Sequence, residues 1–147
     1  NGRDSRSRIS LDQALDVITR VNHPAVQLAF DTYQLGNEVG LLSRLSEVAP
    51  YVGLLQASDA RESQRGENDR VLPGEGALPV EAIVSGLFDA GYRGYVDYQI
   101  WSEANWRSLD LGLLHRCRDN FSSVCAVNRL NGIFASHGND ESRATVR

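Results

Sequence analysis

The sequence predicts an α/β chain in which about three parallel strands alternate with helices. Three observations support this reading. Apolar residues recur at helical spacing in some stretches and at strand spacing in others, and the two patterns alternate along the 147 residues. Proline or glycine marks most of the changeovers. Strict alternation favours parallel pairing through right-handed crossovers.

Ser10 followed by Gln13 has the form of a capping box, and Leu11, Ala14, Leu15, Ile18 and Val21 then recur at helical spacing until His23-Pro24 ends the pattern. Residues 25–31, AVQLAFD, change period. They set Val26, Leu28 and Phe30 on one face and Ala25, Gln27, Ala29 and Asp31 on the other. A second helical pattern covers about 37–48 through Val39, Leu42, Leu45 and Val48, and Pro50 closes it before the strand YVGLLQ. The polar segment SDARESQRGENDRVLPGEGA comes next. Connections longer than about 15 residues are usually functional or disordered.

Pro79 opens another helix with Val80, Ile83, Val84, Leu87 and Phe88 on its buried face, and Gly91 stops it. Residues 95–101, YVDYQIW, form the third strand. Ser102 is placed to cap a last helix whose apolar stripe is Trp106, Leu109, Leu113, Leu114 and Cys117. From about residue 119 the pattern dissolves. The expected organisation is a loop remnant over 1–8, helix and strand units over 9–118, and an irregular tail over 119–147.

Composition narrows the function. With 41% hydrophobic and 23% charged residues the chain fits one globular domain. A net charge of -4 and a pI near 5.3 give no electrostatic reason to expect nucleic acid or an anionic membrane, since both call for a basic face. No apolar run approaches the roughly 20 residues needed to cross a bilayer, and the start NGRDSRSR lacks the apolar core of a signal peptide, which predicts a cytoplasmic protein. Methionine is absent, even from position 1, as expected of an internal piece of a longer reading frame or a processed chain. Cys117 and Cys125 are too far apart for a CxxC pair and have no histidine at ligand spacing; buried or free thiols outweigh a metal or redox site, and a disulfide between them stays open.

In parallel α/β proteins the carboxyl ends of the strands carry the site, because the loops leaving them converge on one rim. The three strands end in Asp31-Thr-Tyr-Gln34, in Gln56-Ala-Ser-Asp59 and in Asp97-Tyr-Gln99. Any one of these ends is better explained as a turn or a helix cap. Polar groups at all three favour a shared site.

The segments DTYQLG, LLQASDAR, ENDRVLPGEG and GYRGYVDYQIWSEANW together resemble the sugar isomerase and epimerase superfamily of xylose isomerase-like barrels, over about residues 9–110. That superfamily includes hydroxypyruvate isomerases, ketose 3-epimerases, inosose dehydratases and 3-dehydroshikimate dehydratases. The resemblance implies a partial TIM (β/α)8 barrel, of which this chain holds the last three strands; a complete barrel takes about 200 residues or more.

The resemblance also implies a site. Members bind one divalent metal, Mn²⁺ or Mg²⁺, through a Glu on the fifth strand, an Asp on the sixth, a His on the seventh and a Glu on the eighth. Asp31 matches the sixth-strand Asp. Gln56 stands where the His is usual, a replacement that also resembles the dehydroshikimate dehydratases, and Gln99 stands where the last Glu belongs. The fifth-strand Glu would lie upstream of Asn1. Gln34 matches a substrate-contacting position and Arg70 an arginine that reaches substrate oxygens. Asp97 points to the same side of its strand as Gln99 and is the substitute candidate for ligand or base.

The implied activity is metal-assisted proton transfer on a small keto-sugar, polyol or cyclic keto-acid. The glutamines impair it. An amide has no titrating proton near neutral pH, and Mg²⁺ or Mn²⁺ gains most from anionic oxygens, so Asp31, Gln56 and Gln99 are expected to hold the metal weakly or not at all. Two rivals stand beside the enzyme: a non-catalytic polyol-binding barrel, and a truncated fragment prone to self-association through open sheet edges.

Other residues have plainer readings. Arg61, Arg65 and Arg70 share their loop with five acids between 59 and 75, so a solvated mixed-charge loop outweighs an anion site for the set. The PGEG glycines let the backbone turn with positive φ. His23, His115 and His137 read as surface residues, and Trp101 and Trp106 as packing groups.

Overall fold

The computed structural model describes residues 9–62, 69–107 and 111–125. Helix α1, Leu11–Val21, starts at Ser10, whose hydroxyl oxygen accepts the Gln13 N–H while the Gln13 side chain accepts the Ser10 N–H. The capping box is therefore present. Asn22 ends the helix in the left-handed region at φ 45°, ahead of His23-Pro24. Leu11 and Leu15 are buried and Ala14 and Ile18 pack against the core, whereas Val21 is exposed.

Five strands follow along the described chain: β1 (Leu28–Asp31), β2 (Val52–Ala57), β3 (Asp59–Ala60), β4 (Arg70–Val71) and β5 (Tyr95–Tyr98). β1, β2 and β5 form a parallel sheet in the order β1-β2-β5, as the alternation predicts. The register places Asp31 opposite Gln56 and Gln56 opposite Asp97, so three polar tips share one level. β3 and β4 pair antiparallel and give the long polar connection a short ladder of its own.

Some boundaries differ from the sequence expectation. β1 begins at Leu28 rather than 25, because Val26 N–H bonds to His23 C=O in a turn. β5 ends at Tyr98, so Gln99 lies just beyond it. A short helix α2, Thr32–Leu35, follows β1 directly. The next helix, α3 (Leu41–Val48), starts later than residue 37 and leaves Val39 fully exposed and Leu42 half exposed; Leu41, Leu45 and Val48 are the buried stripe.

Helix α4, Val80–Asp89, follows the expected pattern: Val80, Ile83, Val84 and Leu87 are buried and Phe88 packs against the core. After β5 the described residues include helices α5 (Glu103–Arg107) and α6 (Leu111–Cys125), and residues 108–110 between them lie outside the described residues. α6 continues past residue 118, so residues 119–125 are helical and not an irregular tail; 126–147 and 1–8 lie outside the described residues. Leu114, expected in the stripe, is exposed, and α6 is anchored by buried Val124 and by Phe121, which meets the Tyr98 ring edge-on at 5.7 Å.

The helices cover one face of the sheet, where Phe30, Leu55, Ile83 and Leu87 are fully buried. On the other face Ala29, Tyr95 and Asp97 are exposed. Among the described residues no helix is long and apolar enough to cross a membrane.

Tyr92 ties the sheet together from the loop before β5. Its hydroxyl accepts the Leu55 N–H at 3.1 Å and donates to the Tyr95 C=O at 2.6 Å, which links β2 to β5. Burial pushes its phenol above the ordinary tyrosine value, with the Leu55 bond opposing the shift. We expect Tyr92→Phe to lose about 1–3 kcal/mol in urea unfolding, since a buried N–H is left without its acceptor. The unfolded chain surrenders this proton first, at about pH 10. The phenol's contribution is complete below that pH and is lost as pH climbs through the raised folded value. Alkaline stability curves of the wild type and Tyr92→Phe should therefore converge above pH ~10; parallel curves would contradict the assignment.

Candidate functional site

Asp31 ends β1 and caps α2, its Oδ1 accepting the Tyr33 N–H at 2.9 Å. The same carboxylate takes a fork from Arg70 on β4: Nη1 lies 3.0 Å from Oδ1 and Nη2 2.8 Å from Oδ2. The two side chains are 5% and 13% exposed. Arg70 Nη1 also lies 3.0 Å from Gln99 Oε1 and 3.1 Å from Ser58 Oγ, and the guanidinium carbon is 4.5 Å above the Tyr33 ring. Its backbone N–H bonds to Trp101 C=O. Buried Nε has no hydrogen-bond partner among the described residues.

The neighbouring elements are pinned by backbone bonds. The Thr32 hydroxyl, fully buried, donates to Ser58 C=O at 2.6 Å and accepts the Ser58 N–H at 2.9 Å, which fixes the start of α2 against the end of β2. Gln56 is half-buried on β2, and its Nε2 donates a long 3.4 Å contact to Oδ2 of exposed Asp97. The structure thus joins Asp31, Arg70 and Gln99 in one cluster and Gln56 with Asp97 beside it. Gln34 is exposed on α2, outside this hydrogen-bonded set.

Asp59, which the sequence sets among the polar strand ends of a shared site, is fully buried and binds backbone instead. Its Oδ2 accepts the N–H groups of Gly74 and Gly76, and its Oδ1 those of Ala60 and Leu78. Four backbone donors therefore satisfy one buried carboxylate and shape the PGEG turn. Gly74 has φ +83°, as expected of this motif. Gly76 serves a different purpose: a Cβ there would fall 2.3 Å from Ala60 O and 2.4 Å from Asp59 Oδ1. The sole sequence signal was an aspartate upstream of a glycine-rich turn.

A family model for xylose isomerase-like TIM barrels matches residues 1–116. The chain belongs to that family. Solved structures share the fold. A protein from Sinorhizobium meliloti 1021 superimposes with a TM-score of 0.70 at 21% identity, covering 78% of this chain and 43% of its own. The IolI protein, in a structure with a zinc atom, gives 0.69 at 18% identity over 78% and 43%. A xylose isomerase domain protein from Alicyclobacillus acidocaldarius subsp. acidocaldarius gives 0.63 at 23% identity over 80% and 43%. The chain spans less than half the length of each of these structures, and the likeness establishes a partial barrel. No curated protein matches the chain.

The xylose isomerase-like family makes a divalent metal the first cofactor to test, and the donor set here does not fit one. Asp31 is the single carboxylate among the matched ligand positions, and both its oxygens accept N–H donors. Gln99 turns its oxygen towards the same guanidinium. Among the described residues no group of three His, Cys, Asp or Glu side chains is placed to hold an ion. His23 accepts the Ala25 N–H in a turn and His115 is exposed; His137 lies outside the described residues. Cys117 is a free thiol whose value is pushed up by burial, a packed group with little thiolate character.

Two outcomes follow. Asp31→Ala leaves a buried guanidinium without its counter-ion and should destabilise the chain by about 3–5 kcal/mol in denaturant unfolding; a loss below 1 kcal/mol would contradict the buried pair. Asp59→Asn replaces one acceptor oxygen by an NH₂ group facing backbone donors and should cost about 1–3 kcal/mol, with faster amide exchange at Gly74 and Gly76. Unchanged exchange there would remove Asp59 from the turn.

Proposed function

We propose that the chain is part of a sugar isomerase/epimerase-like barrel. Its strand-tip rim binds a small keto-sugar, polyol or cyclic keto-acid, and its proton-transfer chemistry is impaired. One observation supports this most directly: Asp31, Gln56 and Asp97 align across three parallel strand ends, with Arg70 and Gln99 beside them. Hydroxyl and carbonyl groups of a polyol match that set, which offers amide donors and acceptors around a fixed cation.

Arg70 and Gln99 position Asp31 and present a rigid polar wall. Gln56 and Gln34 complete the contacts to ligand oxygens. Asp97 is exposed, its described partner is the Gln56 amide, and it is the carboxylate at these strand tips that a cation does not engage among the described residues. It serves as the base that removes a proton from the carbon beside a carbonyl. The glutamines offer no second proton-transfer group and Asp31 is engaged by Arg70, so the rate is low. The Arg70 engagement of Asp31 favours a second reading, a barrel that binds polyols without turning them over.

Titration with myo-inositol, D-fructose and 3-dehydroshikimate, followed by saturation-transfer NMR, tests the reading. Saturable binding of at least one is expected, weakened about tenfold in Gln34→Ala, the equivalent of about 1.4 kcal/mol. Slow deuterium exchange beside the fructose carbonyl should vanish in Asp97→Asn. Binding without exchange selects the silent barrel; no binding of any of the three overturns the proposal.

A further inference from the structure

We propose that Arg70 is a built-in cation: its guanidinium occupies the place between Asp31 and Gln99 that a divalent ion would need, and this chain is thereby closed to metal. The inference goes beyond the polyol reading and does not depend on it. It rests on where the oxygens point. Both Asp31 oxygens and Gln99 Oε1 face Arg70 at 2.8–3.0 Å. A second cation at that point would have to strip those donors from a pair that is 5% and 13% exposed, and would meet a fixed positive charge at contact distance.

The guanidinium is not a mobile side chain passing through. The Asp31 fork, Ser58 Oγ, the Tyr33 ring face and the bond from its own backbone to Trp101 hold it from several directions. Arginine suits the role because its planar fork matches a carboxylate and keeps its charge at all working pH values. Loss of the metal thus has two separable parts, the missing anionic ligands and the resident cation. Restoring a carboxylate at position 99 alone would strengthen the hold on Arg70 and not recruit an ion.

Mn²⁺ binding measured by electron paramagnetic resonance separates these parts without any sugar, so its result is independent of the polyol titrations. The proteins are the wild type, Gln99→Glu, and the double variant Arg70→Gln with Gln99→Glu, each checked for folding by circular dichroism. We expect no saturable Mn²⁺ binding in the first two, and at least tenfold tighter binding in the double variant than in Gln99→Glu. Saturable binding by the wild type or by Gln99→Glu overturns the proposal, as does a folded double variant that gains nothing. If the double variant does not fold, the first two proteins decide: absence of binding in both, with a higher melting temperature for Gln99→Glu, supports it, and any other result there overturns it.

Discussion

The fork between Arg70 and Asp31 is the interaction on which the rest of the site depends. Asp31 is simultaneously the last residue of β1, the cap of α2 and the counter-ion of Arg70. Arg70 belongs to β4, a two-residue strand paired with β3 in the connection between β2 and α4, and through Gln99 it reaches the end of β5. One guanidinium therefore ties both edge strands of the parallel sheet to the connection that crosses its rim. A pair this buried gains little net stability, because desolvation offsets the attraction. Its consequence is geometric: the strand tips are held in one arrangement.

Asp59 shows the other way a buried carboxylate can be satisfied. No arginine approaches it among the described hydrogen bonds; four backbone N–H groups do, and they come from both sides of the PGEG turn. The turn then leads into α4, whose apolar face closes the core beneath β2. Two aspartates at the end of neighbouring segments thus do different physical work. One fixes the rim through a cation, and one fixes the loop through the main chain.

Much of this was legible in the sequence where the signal was local or periodic. The Ser10–Gln13 box and the α4 stripe follow from local spacing, and the parallel pairing of three strands follows from the alternation of helix and strand. The α3 stripe holds at Leu45 and Val48 and fails at Val39 and Leu42: the helix starts after Gly40, which leaves Val39 outside it, and Leu41 rather than Leu42 shares the face of Leu45 and Val48. α6 ran on past residue 118 because its anchors are Phe121 and Val124, two sparse contacts that leave no clear period. At the site, the matching positions could name Asp31, Gln56, Gln99 and Arg70 but not their pairing. A guanidinium reaching across 39 residues of sequence to Asp31 leaves no mark in either local stretch.

The amides that the resemblance sets at ligand positions gain meaning from that pairing. Gln99 carries a neutral amide, and its oxygen is matched to an arginine donor. The amides and the cation are mutually consistent partners. The most direct test of a resident cation is paramagnetic NMR of the wild type with stoichiometric Mn²⁺, following the Arg70 Nε–H and the Gln99 side-chain amide. With Arg70 in place, both signals stay as sharp as in the metal-free sample. Selective broadening of the two would contradict the resident cation.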